Sequence, residues 1–308
     1  MPRIAYVNGR YLPMSEASVN VEDRGYQFAD GIYEVLALAG GRFLDEALHM
    51  ARLGRSLDAL GIAAPMGAAA LRLVLREVVR RNRVRDGLLY LQVTRGVARR
   101  EHAFPPPSKR TGRPVPPALV VTCRSLAPPP HDPVDWAAAA ITAPDERWAR
   151  CDIKSIALLP NVLAKERARR EGAAEAILVD RDGLVSEGAS TTVWVVDAAG
   201  TLRTRPLGHA ILPGCTRAAL VAELDAAGIG FEERAVAEHE LRAAREVFLT
   251  SATSWVRPVT RLDGVAVGDG TAGPVARRLF ALLRNPVRDA ASSPAVPHRV
   301  SPGVAVPA

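Results

Sequence analysis

The sequence predicts a two-domain protein, α+β in its first part and α/β in its second. Residues 1–126 hold strand pairs, then two amphipathic helices in succession, then two more strands. Next comes APPPHDP, at 127–133. Proline there opposes both helix and ladder bonding, so the run reads as a linker. From 134 to 284, strand-like and helix-like segments alternate.

The elements follow in order. RIAYVNGRYLP is a hairpin turning at Asn8-Gly9, and GIYEVLALAGGRFL is a second, turning at Gly40-Gly41. DEALHMARLGRSLDALGI places Leu48, Leu53, Leu57 and Leu60 at helical spacing and stops at Gly61. MGAAALRLVLREVVRRN is a second amphipathic helix, while GLLYLQVTRGV and ALVVTCRSL are strands. Between those strands, FPPPSKRTGRPVPP reads as a long surface loop. In the second part, VDWAAAAIT is a strand and LPNVLAKERARREG a helix with proline in its first turn. AAEAILVD and ASTTVWVVD are strands flanking the turn RDGLVSEG. CTRAALVAELDAAG is a helix, IGFEERAV and REVFLTSA are strands, and VGDGTAGPVARRLFALLRN ends as a helix. Residues 285–308 carry prolines and serines without a periodic apolar face and are expected to be disordered.

Composition narrows the function. The chain has 308 residues, 48% apolar and 24% charged, which is ordinary for a globular protein with a sizeable core. Its net charge of +7 is spread along the chain. The nearest approach to a basic block, REVVRRNRVRD, alternates with valines, which argues against nucleic-acid binding. Cys123, Cys151 and Cys215 are far apart and form no CxxC pair, so neither a disulfide framework nor a zinc site is expected. His49, His131, His209, His239 and His298 have no clustered partners and read as surface or structural, so no metal is expected. The start lacks a leader's apolar core, and no apolar run approaches a membrane span, so a soluble cytoplasmic protein is expected.

Of 40 basic residues only three are lysine: Lys109, Lys154 and Lys165. Arginine is always protonated, whereas a desolvated lysine amine can lose its proton and attack a carbonyl carbon. Lys109 lies in the proline-rich loop, and Lys165 in AKERARREGAAEA reads as part of a solvated helix face. Lys154 sits between Ile153 and Ile156. On spacing alone it is better explained as a lysine snorkelling from a strand end.

Six ordered stretches carry more. They are DRGYQFADGIYEV, HMARLGRSL, LQVTRGVARREHAFP, RCDIKSIALLPNVLAK, VSEGASTTVW with ILPGCTR, and EVFLTSATSWVRPV. In this order, over roughly residues 4–284, the chain resembles the fold-type IV pyridoxal-phosphate aminotransferases, most nearly their D-amino-acid branch. The resemblance implies an N-terminal α+β domain and a barrel-like C-terminal α/β domain, with pyridoxal 5'-phosphate in the crevice between them. It also implies a homodimer acting on amino acids and 2-oxo acids.

By the same resemblance, Lys154 is the Schiff-base lysine, and its freed amine carries the proton between Cα and the cofactor's C4′. Glu187 faces the pyridine nitrogen and keeps it protonated. Arg52 binds the phosphate, for which a guanidinium fork suits a dianion. Cys215 and Thr216, opening a helix, add phosphate contacts, and Leu212 packs on the ring. Cys215 reads as a small buried thiol rather than a nucleophile. Ser251 and Ala252 close the phosphate site. Family members often carry threonine where this chain has Ala252, leaving the Ser251 hydroxyl, the Ala252 amide and the nearby Thr253.

Tyr33, Arg100 and His102 match the substrate-carboxylate trap, the last two reaching across from the partner subunit. Two residues apart on an extended segment, Arg100 and His102 point the same way, although Arg99 competes with Arg100 for that place. The activity implied is transfer of the amino group from D-alanine to 2-oxoglutarate. A branched-chain L-aminotransferase, an aminodeoxychorismate lyase, and a domain that kept the fold but lost the cofactor remain open.

Overall fold

The computed structural model describes residues 3–284. Its first part runs β1 (Ile4–Val7), β2 (Arg10–Pro13), α1 (Arg24–Phe28), β3 (Gly31–Ala39), β4 (Arg42–Phe43), α2 (Glu46–Leu60), α3 (Ala68–Asn82), β5 (Gly87–Thr94) and β6 (Ala118–Ser125). These strands form one antiparallel sheet in the order β2-β1-β6-β5-β3-β4. Its first turn follows from sequence: Asn8 and Gly9 both take positive φ, as a two-residue hairpin of this kind requires. Helices α2 and α3 cover one face, where Leu53, Leu57, Leu75 and Val78 pack onto Ile32, Leu36, Leu89, Leu91 and Val121. Strand alternation turns Tyr33, Val35, Tyr90 and Gln92 to the other, half-buried face.

The second part runs β7 (Ala138–Pro144), α4 (Leu159–Arg170), β8 (Glu175–Val179), β9 (Val185–Gly188), β10 (Thr192–Val196), β11 (Leu202–Thr204), α5 (Cys215–Leu224), β12 (Phe231–Glu233), α6 (Glu238–Arg242), β13 (Glu246–Ser251), β14 (Trp255–Leu262), β15 (Val265–Ala266) and α7 (Pro274–Leu283). The sheet order is β12-β11-β10-β13-β14-β7-β8-β9, with β15 beside β14. Only three residues join β9 to β10 in the chain, yet four strands separate them in the ladder. The sheet must therefore curl back on itself, barrel-like. Ile177, Val185, Val193, Leu249 and Val259 gather within the curl. Outside it, α5 and α7 pack Leu220, Leu224, Leu279 and Phe280 onto Trp194, Phe248 and Val256.

Two of the predicted segments differ in kind from the sequence expectation, and α1, β11, α6, β14 and β15 fall where no element was expected. VDWAAAAIT is not all strand: Pro133–Trp136 is a 3₁₀ turn, opened by proline and capped by Asp132 accepting from the Val134 amide. RDGLVSEG is not all turn, because Val185–Gly188 forms β9, antiparallel to β8 across a bulge. Val-Ser-Glu-Gly has little apolar alternation of its own, and its pairing comes from the neighbouring strand. The expected disordered tail, 285–308, lies outside the described residues. Among the described residues, no helix is long and apolar enough to cross a membrane, and no three His, Cys, Asp or Glu group as a metal site.

Candidate active site

A cavity of about 270 Å³ opens between the two sheets. One wall comes from β3 and α2, through Tyr33, Val35, His49 and Arg52. The rest comes from the segment before α4, the β9–β10 turn, the start of α5 and residues 250–254.

Lys154 lies on the segment between β7 and α4, which leaves the second sheet and reaches β3 of the first. That segment is tied to the edge of β3: the Tyr33 amide donates to the Lys154 carbonyl at 3.0 Å, and the Ile156 amide to the Gly31 carbonyl at 3.1 Å. The Lys154 amide donates to Ser56 Oγ of α2 at 3.2 Å. Its backbone is thus fixed by the first sheet, while its Nζ rests 4.3 Å from the centre of the Tyr33 ring. Glycine at 31 permits this: a Cβ there would meet the Val93 carbonyl oxygen at 2.7 Å.

Glu187 stands on β9, buried, facing the same cavity. It is ion-paired to Arg147 and accepts the Leu212 amide at 3.2 Å. Burial pushes its carboxyl above the usual range, against the pull of Arg147 and the Leu212 amide. Arg147 is itself held by Asp145, with Nε at 2.9 Å and Nη2 at 2.8 Å from the carboxylate, and by the Ala210 carbonyl at 3.1 Å. Sequence reasoning missed Arg147, because nothing in DERWARC distinguishes it from the other arginines.

Arg52 lies on α2 and is buried. Glu34, on the opposite face of β3 from Tyr33, receives Arg52 Nε and Nη2 at 2.8 Å each. Arg52 Nη1 donates to the Pro213 carbonyl at 3.1 Å, joining α2 to the approach to α5. His49, expected to be surface or structural, is buried in the cavity wall with Nδ1 2.7 Å from Glu34. Its three-residue spacing from Arg52 puts both on one helix face, the signal that could have found it.

Burial alone would raise the Glu34 carboxyl, but Arg52 and His49 hold it down to about 2. Burial alone would lower His49, yet the Cys215 sulfur and Glu34 raise it to about 9. Two cations against one carboxylate leave this end of the cavity positive.

Opposite Arg52, α5 begins after Gly214, with Cys215, Thr216 and Arg217 in its first turn. The first amides of a helix lack intrahelical acceptors and favour an anion. Leu212, Ser251 and Ala252 also line the cavity. The Ser251 hydroxyl accepts the Ser254 amide at 3.0 Å and so holds that turn. Nine of the sequence-predicted residues therefore meet at one cavity: Tyr33, Arg52, Lys154, Glu187, Leu212, Cys215, Thr216, Ser251 and Ala252. Arg100 and His102 do not line it within one chain; both are exposed and pack beside Phe28.

Lys165 is exposed on α4, as its solvated reading expects, and its amine also makes contacts inward. Its Nζ lies 2.6 Å from the Ala174 carbonyl and 3.0 Å from buried Glu175, which in turn accepts from Ser190 and Thr191 in the cavity wall.

The donor set suits pyridoxal phosphate. A buried arginine facing free helix amides fits a phosphate dianion, an amine on the cavity wall fits an aldehyde, and a buried carboxylate fits a pyridinium nitrogen. Residues 31–262 match the family model described as amino-transferase class IV. The chain belongs to the class IV amino-transferases, whose cofactor is pyridoxal 5'-phosphate. It is 41% identical over 280 residues to the D-alanine aminotransferase of Bacillus licheniformis, covering 91% of this chain and 95% of that one. It is 38% identical over 274 residues to the D-alanine aminotransferase of Staphylococcus aureus (strain MSSA476), covering 89% and 94%. A solved T.th. branched-chain amino acid aminotransferase, complexed with N-(5'-phosphopyridoxyl)-L-glutamate, superposes with a TM-score of 0.79 at 25% identity, covering 94% and 97%. The branched-chain amino acid aminotransferase of Escherichia coli shares the fold, with a TM-score of 0.79 at 23% identity over 92% and 93%.

Proposed function

We propose that the protein is a D-amino-acid transaminase, moving the amino group from D-alanine and other D-amino acids to 2-oxoglutarate to give pyruvate and D-glutamate. The convergence of Lys154, Glu187 and Arg52 on one cavity supports the chemistry most directly. The D-alanine aminotransferases among its relatives support the handedness. The branched-chain reading rests on structures at 23–25% identity and is the second choice.

The cofactor, when bound, supplies an aldehyde that holds the amino group and a ring that withdraws electrons. Lys154 would hold the cofactor through its amine and, when that amine is free, would move the proton at the substrate Cα. The ties of its segment's backbone to Gly31, Tyr33 and Ser56 fix the point from which that side chain reaches into the cavity. Glu187 would face the ring nitrogen and favour its protonated form. A cationic N–H opposite it offsets the cost of burying the carboxylate, and Arg147 with the Leu212 amide fixes its orientation. Arg52 and the first turn of α5 anchor the phosphate, with Ser251 and the Ala252 amide closing that end and Leu212 packing on the ring.

Tyr33 takes part in binding the substrate carboxylate, with Arg100 and His102 supplied by the second subunit of a homodimer. An apolar stripe on α4, formed by exposed Leu159, Val162 and Leu163, supports such an interface. Two domains, 1–126 and 134–284 joined by 127–133, and a cytoplasmic location complete the reading.

Exchanging Lys154 for alanine tests the assignment. Pyruvate formation from D-alanine and 2-oxoglutarate should cease. Turnover at the wild-type rate would contradict the role given to Lys154.

A further inference from the structure

The loop carrying Arg100 and His102 has few bonds of its own. Among the described residues, no backbone–backbone hydrogen bond involves residues 99–107. Yet a carboxylate receptor needs its donors held in place, because small misplacements weaken a charge-assisted contact steeply. Something outside the loop must hold it.

Arg24 is placed to do so. It opens α1, five residues whose cap is Asp23, with the Asp23 side chain accepting the Gly25 amide. Arg24 is 3% exposed, although arginine is almost never fully buried unless paired. Its guanidinium reaches into the loop: Nη1 lies 2.5 Å from the Glu101 carbonyl oxygen and 3.4 Å from that of Ala103, and Nη2 lies 3.3 Å from that of His102. One planar fork thus spans three successive carbonyls, which a lysine's point charge cannot match.

The rear of the fork is fixed as well. Arg24 Nε donates to Asp30 at 2.7 Å, and Asp30 also receives Arg95 at 2.7 Å and 3.0 Å. Burial would raise the Asp30 carboxyl, but hydrogen bonds from Arg95 and Arg24 hold it below its ordinary value. Arg95 in turn bonds the Leu60 and Gly61 carbonyls at the end of α2, and its guanidinium lies 3.6 Å from the centre of the Phe104 ring, just past the trap. The Phe28 ring lies 5.1 Å from the Arg100 guanidinium and 5.5 Å from the His102 ring, with Arg24 4.9 Å from the same ring. The loop is therefore clasped along its length, with Arg24 at the middle.

From this geometry we infer that Arg24 is a positioning residue for substrate binding: it holds the 101–103 backbone so that Arg100 and His102 present a formed carboxylate receptor. Arg24 does not line the Lys154 cavity, and it acts through the loop. The inference rests on the proposal that Arg100 and His102 bind substrate carboxylate.

The test is a double-mutant cycle in the holoenzyme, with D-alanine as donor. Arg24→Gln should raise KM for D-alanine roughly tenfold to a hundredfold. It should leave kcat and the visible absorbance of the bound cofactor near wild type, as loss of uniform binding does. Combined with Arg100→Ala, it should add little to what Arg100→Ala alone does, because both act through one receptor. Arg24→Lys keeps the charge beside Asp30 but loses the fork. It serves as the second variant should Arg24→Gln fail to fold, and it should raise KM by a smaller factor. An additive double mutant, loss of cofactor with unchanged KM, or wild-type KM in Arg24→Lys would overturn the inference while leaving the trap intact. Wild-type KM in Arg100→Ala would overturn the trap and the inference together.

Discussion

Glu34→Gln should unsettle the Arg52 end of the cavity. Glu34 is fully buried between Arg52 and His49, and the amide keeps one acceptor while removing the charge both cations face. The drop of the Glu34 carboxyl from 4.5 to about 2 in the folded protein corresponds to about 3 kcal/mol of stabilisation of the ionised form. Removing one partner of a buried ion pair costs about 3–5 kcal/mol, so both routes reach the same scale. Thermal unfolding should then fall by roughly 5–10 °C. Glu34 has a depressed folded-state value, so its contribution is complete above pH 4.5 and is lost as pH falls through about 2. Denaturant titrations of wild type and variant across that range should therefore converge towards the acid end. A loss below about 1 kcal/mol, or a gap that does not narrow in acid, would refute the reasoning.

His49 carries the opposite sign. With its folded value raised from 6.5 to about 9, its contribution is complete below 6.5 and lost as pH rises through about 9, which pH-dependent unfolding of a His49→Asn variant against wild type would show as converging stabilities. Arg147→Met removes the ion partner of Glu187 and should lower kcat for transamination by roughly one to two orders of magnitude, read in steady-state assays. Gly31→Ala forces a Cβ against the Val93 carbonyl and the Thr94 Cα and should destabilise by about 1–3 kcal/mol in urea, with the Lys154 segment loosened beside it. Lys165→Met leaves Glu175 buried with only hydroxyl and amide donors and should cost about 1–3 kcal/mol by the same measurement.

Local chemistry explains what the sequence disclosed. Asn8-Gly9 and Gly40-Gly41 announce their hairpins because their turns need positive φ, and α2 stops at Gly61 for the same reason. Lys154 stood out because lysine is scarce and the neighbouring motif is specific. Arg147 and Glu34 were invisible because their importance comes from partners far along the chain: Arg147 meets Glu187, and Glu34 meets α2, through tertiary packing alone. The strand at Val185–Gly188 was hidden for a related reason, since its pairing is set by β8 rather than by its own residues. Nothing in the sequence sets Arg24 apart from the other arginines, and only its burial against three carbonyls marks it.

The most direct measurement is the visible spectrum of the protein purified with pyridoxal phosphate, before and after addition of D-alanine or L-leucine in separate cuvettes. The account predicts a yellow band that D-alanine bleaches and L-leucine leaves unchanged. Bleaching by L-leucine alone would contradict the handedness and place the protein with the branched-chain enzymes. Absence of the band would contradict the role given to Lys154.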